Sequence, residues 1–144
     1  MTTPPPLPPA PVDYGTVAPA PARGALPWGL ALLGLVFLPF VNLLVSGIVM
    51  VAVGLAQRKH GGLAEVNGRR AANWGLTVLV LIVPSIALWL TALIIEAQGF
   101  FPWGISVIVW VVLGIVNLAA AITGLVQAMS GREVTFPVIP FLRR

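Results

Sequence analysis

Three apolar blocks, Gly24–Gln57, Ala71–Ile95 and Ala97–Gly131, run through this chain without a single Asp, Glu, Lys or Arg. Each is rich in Leu, Val, Ile and Ala. Each also exceeds the ~20 apolar residues that a helix rising ~1.5 Å per residue needs to cross ~30 Å of hydrocarbon. The pattern predicts an all-α membrane protein.

The first block is the irregular one. From Leu26 to Ala56 a continuous helix would be ~46 Å long, and Pro39 sits near its middle with Asn42 just beyond. Proline lacks an amide donor and clashes with the preceding turn, so the helix must bend or break there. The halves, Pro27–Leu38 and Leu43–Ala56, are each ~18–21 Å long, short of a full crossing. Two geometries satisfy this: a single kinked, tilted span, or a helical hairpin that returns to the side it entered from. The total is therefore three to four helices. In either case protein must cover the backbone groups freed near Pro39, because lipid offers no hydrogen bonds.

The second block suits one span, kinked at Pro84. The third runs from Trp103 to Ser130, with Pro102 at a first-turn position and Gly131 as a stop. Residues 57–70 read as a short cationic loop and residues 96–102 as a tight turn without a cation. Residues 1–25 hold more than half of the 14 prolines and read as a disordered Pro-rich tail, a spacer rather than a docking strip. The domain pattern is a tail at 1–25, a helical transmembrane domain at 26–131 and an interfacial C-terminal segment at 132–144. The apolar run before Ala56 is too long for a signal-peptide core, so the first block is expected to be retained.

Composition agrees. The 144 residues are 58% hydrophobic and 8% charged, with mean hydropathy +1.00. That leaves room for one compact membrane domain. The pI of about 11.3 reflects a net charge of only +4 on few titratable groups, which is no footprint for nucleic acid. The Ala, Gly, Pro, Val and Arg bias with a single Lys is that of a GC-rich bacterial genome. Cysteine is absent, which removes thiol chemistry and disulfides.

The cations flank the blocks: Arg58, Lys59, Arg69 and Arg70 before the second, Arg132, Arg143 and Arg144 after the third. Cytoplasmic ends collect Lys and Arg, so these residues read as cytoplasmic anchors to lipid phosphates. The 57–70 loop and the C-terminus are expected in the cytoplasm, with Glu96 on the opposite side. Trp28, Trp74 and Trp103 fall near block ends, where indoles favour the headgroup level, while Trp89 and Trp110 lie deeper.

The candidate chemistry is sparse. Gly114, Asn117, Ala121, Gly124 and Ala128 repeat at helical spacing and form a small-residue stripe, read as a helix-packing face. Asn73, Thr77 and Thr91 form a weaker companion, placed to reach Asn117 or to cover carbonyls freed by Pro84. Pro39, Asn42 and Pro84 are the expected helix breaks. His60 is the single histidine and has no second ligand nearby, so no metal site is expected. No ionisable residue lies inside a span, which argues against proton relays and coupled transport. Neither a paired-carboxylate arrangement nor a nucleophile–base pair is present, so no catalytic residue, cofactor or metal site is expected and the chain reads as non-enzymatic.

Leu38-Pro39-Phe40-Val41-Asn42 in the first block, Asn67-Gly68-Arg69-Arg70-Ala71-Ala72-Asn73-Trp74 entering the second, and Ser130-Gly131-Arg132-Glu133 with Phe136-Pro137 and Phe141-Leu142 after the third carry a resemblance. In this order and spacing they resemble a bacterial family of small multi-span membrane proteins of unknown function, one grouped with the chloroplast inner-envelope protein-import component. The chain departs from it in lacking an acidic run before Asn67 and in carrying Pro140. The resemblance covers residues 28–142 and implies a helical inner-membrane protein without a known active site. The import-component link implies four helices with both ends cytoplasmic, which favours the hairpin.

The expected function is that of a non-enzymatic, multi-pass protein of the bacterial cytoplasmic (inner) membrane, a scaffold or accessory subunit acting through helix–helix contacts. The alternative is an oligomeric component of a protein-translocation or permeation path. Its expected partners are the lipid bilayer and other membrane proteins or further copies of itself, with no nucleic acid.

Overall fold

The computed structural model describes residues 22–36, 38–101 and 103–142, and every regular element among them is helical. Helix α1 (Leu26–Leu30) tightens into a 3₁₀ turn over Ala31–Leu35. Helix α2 spans Val41–Ala56 and runs into a second 3₁₀ turn at Gln57–His60; α3 spans Gly62–Ile94 and α4 Trp103–Met129. Val41–His60, Gly62–Ile94 and Trp103–Met129 are long and apolar enough to cross a membrane. The Pro-rich tail falls almost wholly outside the described residues, as do Arg143 and Arg144.

The first block is a helical hairpin. Gly24 lies against Ala64 and Asn67 at the start of α3, and Gly54 near the end of α2 lies against Gly68 and Ala72. Both ends of the block therefore meet the same end of α3. The legs are stitched together: Ser46 Oγ donates to the Ala31 carbonyl at 3.0 Å and Asn42 Nδ2 to the Gly34 carbonyl at 2.7 Å. Carbonyls near the end of a helix run short of intrahelical partners and lipid supplies no substitute, so side-chain donors from the second leg suit this place. At the tip, Phe40 adopts φ 62°, ψ −43°, a backbone state that costs a non-glycine residue about 1–3 kcal/mol. Its buried ring sits between Trp89 and Trp110, with centroids 5.3 and 5.8 Å away, and this packing holds the turn.

Residues 57–70 are not a loop. Only Gly61 separates the 3₁₀ turn from α3, whose first residue is Gly62. Gly61 takes φ 63°, an easy state for glycine, and Glu65 in the first turn complements the positive helix end. The charge at Arg69 and Arg70 does not stop the helix, which begins seven residues earlier at Gly62. At 33 residues α3 is ~50 Å long, so its first two turns project past a hydrocarbon layer of ~30 Å.

Pro84 does not break α3, which continues through it to Ile94. Thr77 and Thr91 do not serve its freed carbonyl either; each hydroxyl donates to the carbonyl four residues back, Asn73 and Ala87, both at 2.9 Å.

Helices α2 and α3 meet backbone to backbone. A Cβ added at Gly54 would stand 2.5 Å from the Gly68 carbonyl oxygen, and one at Gly75 would stand 2.7 Å from that of Gly47. Two glycine pairs, each seven residues apart on its own helix, thus form one seam. Small residues at such an interface let main chains approach and gain dispersion where no hydrophobic effect separates protein from lipid.

Beyond α4 the chain does not float free. Val134 is fully buried, Phe136 packs edge-on to Trp74 at 5.0 Å, and Arg70 pairs with Glu133 at 2.6 Å. Residues 132–142 form a strap across the outer part of α3.

Candidate functional site

The polar side chains inside the bundle converge on four asparagines, Asn42, Asn67, Asn73 and Asn117, the whole asparagine content of the chain. An amide both donates and accepts, so each can tie two backbones together without carrying charge into an apolar medium.

Asn117 is the centre. It is 2% exposed and bonds to the first 3₁₀ turn, α2 and α3. Trp74 Nε1 of α3 donates to its Oδ1 at 3.0 Å, while its Nδ2 donates to Ser46 Oγ of α2 at 3.3 Å and to the Ala31 carbonyl at 3.5 Å. One side chain therefore joins both legs of the hairpin, α3 and α4. At the hairpin tip Asn42 Oδ1 accepts from Leu43 N at 2.8 Å and from Trp110 Nε1 of α4 at 3.1 Å.

The other two hold the strap. Asn67 Nδ2 donates to the carbonyls of Arg23 and Arg132 at 2.9 and 3.1 Å, and its Oδ1 accepts from Val134 N at 2.8 Å. Asn73 Oδ1 accepts from Leu142 N at 2.7 Å and its Nδ2 reaches the Leu142 carbonyl at 3.4 Å. Asn73 thus serves the C-terminal segment, and Trp74 beside it is the residue that reaches Asn117.

Of the expected packing stripe, Asn117, Ala121, Gly124 and Ala128 are buried. A Cβ at Gly124 would lie 2.2 Å from the ring of Trp28, so glycine here makes room for an indole of the hairpin. Gly114 departs from the stripe: it is half-exposed and an added Cβ would meet nothing within 4 Å. Leu113 and Ala120 take the buried positions instead. A cavity of about 290 Å³ opens beside Gly114, between α4 and the broken leg of the hairpin.

Two tryptophans also depart from expectation. Trp28 is fully buried and Trp74 nearly so, each covered by protein instead of presenting its indole outward, while Trp103 is 40% exposed. Nearness to the end of an apolar block does not distinguish a rim position from a contact with a neighbouring helix. The glycine seam lies outside the expected packing stripe, and Gly47, Gly54, Gly68 and Gly75 carry its signal in their repeated spacing of seven.

The ends of the bundle differ in charge. Arg58, Lys59 and His60 are exposed, Arg69 and Arg70 half-buried, and Arg132 exposed, all at the end where α2 finishes and α3 begins. Arg23 joins them, its guanidinium donating to the Met129 carbonyl at 2.6 Å. The turn with Glu96 lies at the other end. Among the described residues no three His, Cys, Asp or Glu side chains come together as a metal group would require. The buried groups are amides, hydroxyls and indoles, suited to hold helices in register and unsuited to proton transfer near neutral pH.

No curated protein and no solved structure matches the chain. Nothing in these comparisons links it to the chloroplast import component, while the small multi-span membrane character of the resemblance stands. Residues 24–142, hairpin through strap, match the magnetosome magnetite crystal formation protein family, and the chain belongs to that family.

Proposed function

We propose that this protein is a non-enzymatic scaffold or accessory subunit in a bacterial inner membrane or the magnetosome membrane, where it takes part in magnetite crystal formation by contacts with other membrane proteins. The supporting observation is the use made of Asn117. The buried amide of Asn117 bonds to Ala31, Ser46 and Trp74, which supports reading the core as a fastening between helices. The outward surfaces of α3 and α4 carry large exposed apolar side chains such as Val80, Val83, Ile115 and Ile122, available to lipid and to other spans. By the bias of Lys and Arg toward the cytoplasm, the end bearing Arg58, Lys59, Arg69 and Arg70 faces the cytoplasm and the Glu96 turn faces away.

The test is purification from native membranes in mild detergent, combined with flux measurements after reconstitution. The proposal predicts that other membrane proteins co-purify in fixed ratio and that vesicles loaded densely with the protein stay tight to ions. A steady ion or solute leak proportional to protein content would instead support the oligomeric path.

A further inference from the structure

Helices α3 and α4 end in the same backbone motif but with different residues at its critical position. At the end of α4, Arg132 N donates to the Gln127 carbonyl at 3.0 Å and Gly131 N to that of Ala128 at 3.1 Å, with Gly131 at φ 69°. At the end of α3, Ala97 N donates to the Ala92 carbonyl at 3.0 Å and Glu96 N to that of Leu93 at 3.3 Å, with Glu96 at φ 46°. The left-handed position of this motif belongs to glycine, occasionally asparagine. A glutamate there is strained, and strain at a residue with a functional group points to use of that group.

The surroundings of Glu96 say what the use is. A cavity of about 300 Å³ opens at this end of the bundle, lined by Glu96, Gln98, Leu93 and the indoles of Trp89 and Trp103. Among the described residues no donor or cation reaches the Glu96 carboxylate. The sequence holds no Lys or Arg between Arg70 and Arg132, so this face supplies none. The C-terminal end of α3 and the N-terminal end of α4 meet on this side and offset each other in partial charge. The carboxylate and the indoles favour a cation. A divalent metal is a poor fit, since Glu96 has no second carboxylate, histidine or cysteine beside it among the described residues. An organic ammonium fits both the indoles and the volume.

We propose that this cavity binds the ammonium headgroup of an aminophospholipid in the leaflet opposite the basic end, with Glu96 as counter-ion, Trp89 and Trp103 as aromatic walls, and Leu93 beside the acyl chains. The proposal is independent of the scaffold reading, since a protein with any role can hold such a lipid.

The full chain in mild detergent is titrated with phosphatidylethanolamine and with phosphatidylglycerol of the same acyl composition, and bound lipid is counted by native mass spectrometry. The expected result is a preference for phosphatidylethanolamine of about fivefold, the size of one solvent-exposed cation–π contact. Glu96→Gln abolishes the preference, whereas Glu133→Gln at the other end keeps it. Glu96→Gly also loses it, with an unfolding midpoint equal to or above that of the wild type, which separates lost binding from lost folding. Equal retention of the two lipids, or a preference that survives Glu96→Gln, overturns the proposal. Full competition by soluble ethanolamine at equal concentration overturns the lipid as the source of the ammonium, and displacement by millimolar Ca²⁺ at one site per chain overturns ammonium in favour of a metal.

Discussion

Replacing Gly54 by alanine tests the seam on which the hairpin leans. The new Cβ would lie 2.5 Å from the Gly68 carbonyl oxygen and 2.9 Å from the Ala72 nitrogen, where ordinary contact begins at 3.4 Å. Both obstacles are main-chain atoms of α3, so no side-chain rotation relieves them. The helices must separate by about 0.9 Å locally, and a gap of ~0.5–1 Å forfeits a quarter to a half of each dispersion contact across it. With roughly twenty atom pairs at ~0.15 kcal/mol each, the loss is ~1 kcal/mol; residual overlap brings the total to about 1–3 kcal/mol. The natural comparison is Gly114→Ala, where the added methyl meets nothing within 4 Å and alanine is the better helix former by up to ~1 kcal/mol. Both variants are to be unfolded reversibly in mixed micelles by raising the fraction of SDS, with helicity and tryptophan emission as probes. Gly54→Ala is expected to lose about 1–3 kcal/mol and Gly114→Ala to be neutral or stabilised. Equal free-energy changes for the two would refute close approach of α2 and α3.

Three further outcomes are expected. Asn117→Leu removes the bonds to Trp74, Ser46 and Ala31 and leaves the Trp74 indole N–H without its partner; the cost is about 3–5 kcal/mol in the same assay, given ~0.6 kcal/mol per interhelical bond in a membrane plus ~1–3 kcal/mol for the stranded donor. Gly124→Ala drives a methyl into the buried ring of Trp28 and loses roughly 1–3 kcal/mol, and in a Trp28→Leu background the same change costs less by at least ~0.5 kcal/mol in a double-mutant cycle. Asn67→Ala releases Arg23, Arg132 and Val134 together, so the amides of Val134 and its neighbours exchange with solvent faster while those in the middle of α4 stay protected.

Much of the architecture was legible in the sequence because hydrocarbon imposes a coarse rule. Blocks without charge became helices, a turn falls at Pro39, and Asn117, Ala121, Gly124 and Ala128 are buried on α4. What escaped depended on neighbours distant in sequence. The start of α3 at Gly62 was hidden because Arg69 and Arg70 end the apolar run while leaving helix propensity untouched. Trp28 and Trp74 looked like rim residues until a neighbouring helix was seen to cover each of them. The strap was invisible because Asn67 and Asn73 find their partners more than sixty residues away. The choice between kinked span and hairpin turned on Ser46 and Asn42, whose side chains answer carbonyls of the preceding leg, a pairing no local pattern specifies.

The central claim is that the first apolar block enters and leaves on one side of the membrane. The natural absence of cysteine makes it directly measurable: Ala22→Cys, Gly62→Cys and Gln98→Cys are made singly and probed with a membrane-impermeant maleimide in sealed vesicles of known orientation. The hairpin predicts that positions 22 and 62 react from one side and position 98 only from the other. Labelling of position 22 together with position 98 would mean that the block crosses once, and the fold described above would be wrong.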